Sequence, residues 1–468
     1  MSKISGINKS VDWVFISVYF SLLIIGWLML YSSVYVENDP YAFLKFSTSI
    51  GKQTLWVLIA IFTFIIVYYV DWKFWETFAF PIFGVSLVLL VLVLVVGSEI
   101  KGARSWFSFG GFSFQPSEIA KFGTALALSS YLNSYKSDLR QKKSLFISLG
   151  IIIVPILLIL LQSDPGSALV FLSFFILFYR LGLSLAFYLI GFLITSIFII
   201  SLMYDPKIVT LLSGIIGLGL LMKYKNQSWK TALGFLIISL LAILFYRRDL
   251  YLYSALLIVG SMTTYIVLLT KDRIMKPVVI IIPFVVLSAL LSFGSNYVMN
   301  DLLEPHQQDR INVWLNPEKS DPRGARYNII QSKLAIGSGG IQGKGFLQGD
   351  MTKLNYVPEQ TTDFIFSTVG EEQGFIGSVG VIFLFFLLLV RIIIIGERAK
   401  SGFIRNYAFA VAGIIFAHMF INIGMAVGLM PIIGIPLPFL SKGGSALIGF
   451  SVLLAVLLKM DVSRHRGT

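Results

Sequence analysis

The sequence predicts an all-α polytopic integral membrane protein, and three observations carry that reading. Of 468 residues, 56% are hydrophobic and only 13% are charged, against about a quarter charged in a typical soluble domain. The mean hydropathy is +0.84. Runs such as "FPIFGVSLVLLVLVLVVG" and "GVIFLFFLLLVRIIII" approach or exceed the roughly 18 to 20 apolar residues that a bilayer-spanning helix needs. The net charge of +13 does not point to nucleic acid, because the basic residues sit in short clusters between apolar runs, as the positive-inside bias places them. With no cysteine in the chain, disulfides and thiolate metal sites are excluded.

Taken in order, apolar runs that read as spans begin near Val14, Thr54, Thr77, Glu118, Leu145, Pro165, Leu185, Ile208, Thr231, Leu252, Val278, Gly374, Tyr407 and Gly444. These make about fourteen spans, with ends set to within about 2 to 4 residues. The first, Val14 to Ser33, follows the basic "MSKISGINKS" without an A-x-A-like cleavage site, and so reads as a retained span. Placing both termini in the cytoplasm puts Lys136, Arg140, Lys142, Lys143, Lys223, Lys225, Lys230, Lys271, Arg273, Lys276, Arg398, Lys400, Arg405 and the basic tail inside. Only the short loop with Arg247 and Arg248 disagrees. Under that topology a segment of about sixty residues, Asn296 to Thr362, lies outside, far longer than an ordinary connection. Trp314, Tyr327, Ile329, Ile330, Leu334, Ile336 and Phe346 give it enough apolar surface to dock as an ordered cap.

No phosphate loop, nucleotide fingerprint or paired-histidine metal motif is present, so coupling to a bound nucleotide is not expected. The three histidines, His306, His418 and His465, are scattered and read as local hydrogen-bonding residues. The informative groups are the ionisable ones at membrane depth, where an unpaired charge costs several kcal/mol. Glu118 and Lys121, three apart, share a helix face and form either a structural ion pair or a substrate-facing one. Asp164, beside Pro165 and Gly166 in "LQSDPGSAL", either caps the following helix or joins that pair. Asp363, Glu371 and Glu372 stand at the outer entry of a span, where Asp363 precedes an apolar run as a helix N-cap would. In "DPRGARY", Asp321 stands on a stiff turn near Arg323, Arg326, Lys333 and Lys344. Such a turn suits either a solvated loop or a presented carboxylate. The glycines of "IGSGGIQGKG" permit close backbone approach, a weak sign of an anion site.

Five blocks in order, "KGARSWFSFGGFSFQPSEIAKFG", "LQSDPGSAL", "DPRGARYNIIQSKLAIGSGGIQGKGFLQG", "YVPEQTTDFIFSTVGEEQGFIG" and "NIGMAVGLMPIIGIPLPFLSKGGSALI", together resemble the SEDS family (shape, elongation, division and sporulation). Within it, "GKGFLQG", "VPEQTTDF" and "GIPLPFLSKGGSAL" resemble the elongation member more than the division member. The resemblance implies a peptidoglycan glycosyltransferase of the cytoplasmic (inner) membrane that polymerises lipid II on the outer face, for cell elongation and rod shape. It implies a class B penicillin-binding protein as crosslinking partner, and the glycan product linked to undecaprenyl pyrophosphate. The family's essential acidic residue matches Asp321, its loop tryptophan Trp106, and its cavity residues Glu118, Lys121 and Asp164.

The resemblance also implies about ten core spans, so that about four here are inserted. The expected organisation is N-terminal helices 1–203, inserted helices 204–293 without chemistry, a large extracellular catalytic loop 294–362 and C-terminal helices 363–468. Three further departures stand out: Ser105 replaces the arginine before the tryptophan, with Arg104 one place earlier; "SKGG" brings Lys442; and Pro165 follows rather than precedes Asp164.

Joining two lipid-linked sugars with inversion needs one base, a role that suits Asp321. The leaving pyrophosphate needs positive charge, for which Lys121, Arg326, Lys333 and Lys344 are candidates, as is a divalent cation, Mg²⁺ or Mn²⁺, held by Asp321. The rival readings are a division-type polymerase, a flippase of the lipid-linked precursor, and a scaffold for the transpeptidase.

Overall fold

The computed structural model describes residues 11–35, 39–100, 102–109, 112–134, 137–225, 228–321 and 324–463. Lys136, Arg323, the N-terminal decapeptide and the tail with His465 lie outside them, as does the side chain of His306. In chain order the main helices are α1 (Trp13–Ser33), α2 (Ser49–Tyr69), α3 (Ala79–Val96), α4 (Pro116–Asn133), α5 (Lys142–Leu161) and α6 (Pro165–Arg180). Then come α7 (Leu185–Met203), α8 (Pro206–Lys225), α9 (Trp229–Arg247), α10 (Tyr251–Lys271), α11 (Lys276–Tyr297), α12 (Pro305–Leu315) and α13 (Ala325–Ser338). The chain closes with α14 (Ile365–Arg398), α15 (Gly402–Ala426) and α16 (Gly444–Ser463).

Among the described residues, 12 helices are long and apolar enough to cross a membrane. The other two expected spans are present as helices of a different character. Helix α4 has 18 residues but is too polar for that class, because it is enclosed by protein rather than lipid. Helix α6 is a short apolar helix with a 3₁₀ turn at Phe171–Ser173. The all-α expectation needs one amendment. Residues 98–114 form three short antiparallel strands in the order β1-β2-β3: β1 (Ser98–Ile100), β2 (Ala103–Phe109) and β3 (Phe112–Phe114).

Helix starts follow local chemistry. Asp12 accepts from the amide of Phe15 at 3.0 Å, and Thr48 from that of Gly51 at 3.0 Å. Helix α4 begins on Pro116, whose missing N–H costs nothing at the first helical position. Helix α12 begins with a capping box between Glu304 and Gln307.

The chain forms two compact units, one running to Leu183 and resuming at Asp321, the other spanning Ser184–Ser320. In the first, α2 packs on α16, α3 on α4, α14 on α15 and α1, and α4 on α15. Helices α15 and α16 are its most enclosed spans. One end of this unit carries the strands and the segments after α1, α5, α13 and α15. They are tied together there, for example by Gln360 to the Ser33 carbonyl (3.2 Å) and Arg104 N–H to the Gln162 carbonyl (3.0 Å). At the opposite end, Asp12 meets Arg391 and Arg398, and Arg398 also meets Asp461, clamping α1, α14 and α16.

The second unit holds α7 and the four helices that follow. Helices α8, α10 and α11 enclose an apolar core that includes Leu218, Leu221, Ile258, Met262 and Ile281. Helix α7 joins α11 through small polar groups, Ser201 Oγ lying 3.0 Å from Ser292 Oγ, the kind of contact that brings helices close inside a bilayer.

Candidate functional site

The fourth helix brings the first pair of predicted site residues together. Their i, i+3 spacing puts Lys121 Nζ 2.9 Å from Glu118 Oε1, with 1% and 4% of the two side chains exposed. A second partner comes from α15, where His418 Nε2 lies 2.8 Å from Lys121 Nζ. The phenyl face of Phe450 on α16 lies 5.2 Å from the same ammonium, within cation–π range. An ammonium has three donors and no acceptor, so His418 Nε2 must accept. The ring proton is therefore on Nδ1, which donates to the Pro436 carbonyl at 3.0 Å. Three helices and the 427–443 segment thus converge on one buried charge, and the pairing offsets the cost of keeping that charge at membrane depth.

Asp164 belongs to a neighbouring network. Its Oδ1 accepts from the Ser167 amide at 3.0 Å, capping α6, while its Oδ2 accepts from Ser167 Oγ and Gln115 Nε2, each at 2.8 Å. The capping reading is the one realised. The bond to Gln115 ties α6 to the residue before α4 rather than to the Glu118–Lys121 pair.

The glycine-rich stretch does not form an anion cradle. Helix α14 is broken at Gly374, which has φ 63°, and carbonyls freed there accept from the loop. Lys344 N–H donates to the Glu371 carbonyl (3.1 Å) and Gly345 N–H to the Glu372 carbonyl (2.9 Å), while Phe375 N–H donates to the Gly340 carbonyl (2.9 Å). A Cβ on Gly374 would collide with the backbone N of Gly343. The glycines therefore let backbone meet backbone, and these amides are spent on protein carbonyls.

Lys344 is committed in the same place. Its Nζ lies 2.8 Å from Glu371 Oε1 and 3.2 Å from Asp350 Oδ2. The hydrogen bond to Glu371 holds its ammonium above the usual lysine range. Glu371 itself is fully enclosed and also accepts from the amides of Met351 and Thr352 and from Thr352 Oγ1 (2.7 Å). Lys344 is thus a partner of Glu371 rather than an unengaged positive group, and Glu371, an ionisable residue at the entry of a span in the sequence, is an organising residue whose partners that context did not reveal.

The N-cap position expected at Asp363 falls one residue later. The N-cap position of α14 is Phe364, without a side-chain bond, and the Asp363 carbonyl accepts from Asn422 Nδ2 at 2.9 Å. Asn422 Nδ2 also donates to the Ile435 carbonyl at 2.7 Å. Lys442 anchors its segment through a main-chain bond to the Thr361 carbonyl (2.8 Å). Burial, with Lys52 nearby, pushes its ammonium below the usual range.

Asp321 contrasts with these residues. It is exposed, just ahead of α13, and its carbonyl accepts from Gly324 N–H at 3.2 Å. Helix α13 lies on α14 and α15, with Ile329 buried and Ser332 Oγ donating to the Ala426 carbonyl at 2.8 Å. Arg326 and Lys333, two turns apart, occupy one face of α13. Arg326 is half-buried, and Lys333 is exposed beside Gly428. The helix N-terminus adds partial positive charge near Asp321. Trp106 sits half-buried on β2, opposite Ser98. Ser105 next to it is buried with its hydroxyl unpartnered, and Arg104 reaches back to the Leu94 carbonyl at 3.5 Å.

Among the described residues, no three His, Asp or Glu side chains converge as a metal cage. A divalent cation at this turn would be held by Asp321. Substrate phosphate oxygens and water would supply its remaining ligands, as Mg²⁺ commonly accepts.

A family model described as a cell cycle protein, FtsW/RodA/SpoVE, matches residues 12–215 and 211–466. The peptidoglycan glycosyltransferase RodA of Treponema pallidum (strain Nichols) is 30% identical over 467 residues, covering 99% of this chain and 100% of the relative. The peptidoglycan glycosyltransferase MrdB of Escherichia coli (strain K12) is 30% identical, covering 82% of this chain and 79% of its own. A probable peptidoglycan glycosyltransferase FtsW of Geobacter metallireducens is also 30% identical, over 98% and 96%. Among solved structures, a chain of a peptidoglycan synthase complex that coordinates polymerization and crosslinking aligns with TM-score 0.63 at 23% identity, covering 98% and 99% of the two chains. The rod shape determining protein RodA of Thermus thermophilus aligns with TM-score 0.55 at 22% identity, covering 97% and 98%. With its motifs in order and its full length matched, this multi-pass membrane protein belongs to the FtsW/RodA/SpoVE family.

Proposed function

We propose that the protein is an inverting peptidoglycan glycosyltransferase that polymerises lipid II into glycan strands at the outer face of the cytoplasmic membrane during cell elongation. The observation that carries this reading is the turn at Asp321. An exposed carboxylate stands directly before a docked helix whose accessible face carries Arg326 and Lys333. The names of the Treponema and Escherichia relatives supply the substrate class.

In this mechanism Asp321 takes the proton from the acceptor sugar hydroxyl as that oxygen attacks the anomeric carbon of the donor. The bond to the lipid pyrophosphate breaks in the same displacement, inverting the centre. Arg326 and Lys333 offset the charge that grows on the leaving group. A divalent cation, when bound, would add to that charge neutralisation. Lys121 and Lys344 keep the framework in place through their own carboxylates, Glu118 and Glu371. Trp106 offers a flat apolar face to a sugar ring.

The cytoplasmic location of both termini rests on the basic residues Arg140, Lys142, Lys143, Arg398, Lys400 and Arg405 between spans. A class B penicillin-binding protein is the partner suggested by the synthase complex among the structural neighbours. The relative named FtsW favours a second reading, the same chemistry in division. Depletion separates the two, giving swollen cells for elongation and filaments for division.

The test is reconstitution with lipid II and a divalent cation, comparing the wild type with Asp321→Asn. Glycan strands from the wild type alone support the reading. Strands from both discard Asp321 as the base, and strands from neither, with substrate shown intact, favour a transporter or scaffold.

A further inference from the structure

We infer that His418 is a positioning residue for the polymerisation reaction, linking the buried Lys121 ammonium to the segment that meets the helix following Asp321; this builds on the glycosyltransferase reading. Both ring nitrogens are in use: Nε2 accepts from Lys121 at 2.8 Å and Nδ1 donates to the Pro436 carbonyl at 3.0 Å. The ring is 2% exposed and edge-on to Phe450, with centroids 4.8 Å apart, so both its orientation and its tautomer are set.

The chain of contacts runs outward from there. Pro436 lies in the segment after α15 that Asn422 also holds, through the Ile435 carbonyl at 2.7 Å. The end of α15 and the start of that segment meet α13, where Ser332 bonds the Ala426 carbonyl at 2.8 Å and Ile329 and Lys333 lie against Gly428. A shift of the 427–436 backbone would therefore disturb the seat of α13 at Ile329 and Lys333. His418 is the side chain that ties that backbone to the charge on α4. An apolar replacement would remove an acceptor from Lys121 and the donor to the Pro436 carbonyl together, at an enclosed position. Glutamine presents an oxygen and an N–H at a spacing close to that of the two ring nitrogens, and so can restore both bonds.

The experiment compares wild type, His418→Leu and His418→Gln in lipid II polymerisation, with ¹⁵N NMR of the histidine rings of the full-length protein in detergent. The expected result is a kcat loss of tenfold or more for His418→Leu with KM changed less than threefold, recovery to within threefold for His418→Gln, and the neutral Nδ1–H tautomer in the wild type. The inference is overturned if leucine and glutamine behave alike, if leucine retains the wild-type kcat, or if Nε2 carries the proton. Should His418→Leu fail to fold, the glutamine variant and the tautomer decide: a crippled glutamine enzyme or the Nε2–H form overturns it. An inactive wild type would instead count against the glycosyltransferase reading, while the tautomer arm still tests the geometry of His418.

Discussion

Two sets of charges in the first unit differ in almost every respect. Lys121 and Glu371 are enclosed, and each has several partners from other parts of the chain. At the head of α13, Asp321 and Lys333 are exposed on a helix whose opposite side is docked through Ile329 and Ser332. A charge with all its bonds made inside protein holds parts together, and moving it carries a large desolvation cost. A charge on an accessible helix face can instead respond to a ligand. On the proposed function, the first set is framework and the second carries the chemistry.

The sharpest way to break that division is substitution on each side. Asp321→Asn should lower polymerisation by about 10² to 10⁴-fold, the range for a lost general base, with an unchanged thermal midpoint. Lys121→Met should act mainly through stability, because it leaves Glu118 buried and uncompensated, a loss of about 3 to 5 kcal/mol. Adding Glu118→Gln should recover part of the midpoint, and a double variant no better than the single one would contradict the pairing account. Arg326→Met should lower kcat about tenfold or more without moving the midpoint, and a lower midpoint at full activity would return Arg326 to the framework.

Smaller effects sharpen the picture of the loop. Gly374→Ala forces a side chain onto φ 63° and against Gly343, so it should cost at least about 1 kcal/mol. That cost is readable as faster hydrogen exchange at residues 340–345. The Lys344–Glu371 pair carries a pH signature with a definite sign. Its lysine is raised above the ordinary 10.5, so its contribution is fully present below 10.5 and is lost as pH rises through the raised value. Exchange protection of the loop should stay flat from pH 7 to the ordinary lysine range and decline only beyond it.

Local patterns made a good part of this architecture legible in the chain. Long apolar runs announced the spans, the i, i+3 spacing announced the Glu118–Lys121 pair, and the Asp-Pro-Gly step announced the cap at Asp164. What local pattern cannot carry is the choice of distant partners. His418 stands 297 residues from Lys121, and nothing in "IFAHMFINIGM" marks it as that lysine's second acceptor. The glycines before Lys344 are equally suited to a ligand or to another stretch of backbone, and only the kink at Gly374 decides between them. Helix α4 shows the same limit: the run from Glu118 reads as a span, but nothing local to it says that protein rather than lipid encloses most of its side chains.

The most direct measurement follows glycan polymerisation and the thermal midpoint on the same preparations of wild type, Asp321→Asn and Lys121→Met. The account predicts that Asp321→Asn loses strand formation at an unchanged midpoint, while Lys121→Met shows a clearly lowered midpoint. Wild-type strand formation by Asp321→Asn, or an unchanged midpoint for Lys121→Met, would contradict the separation of chemistry from framework.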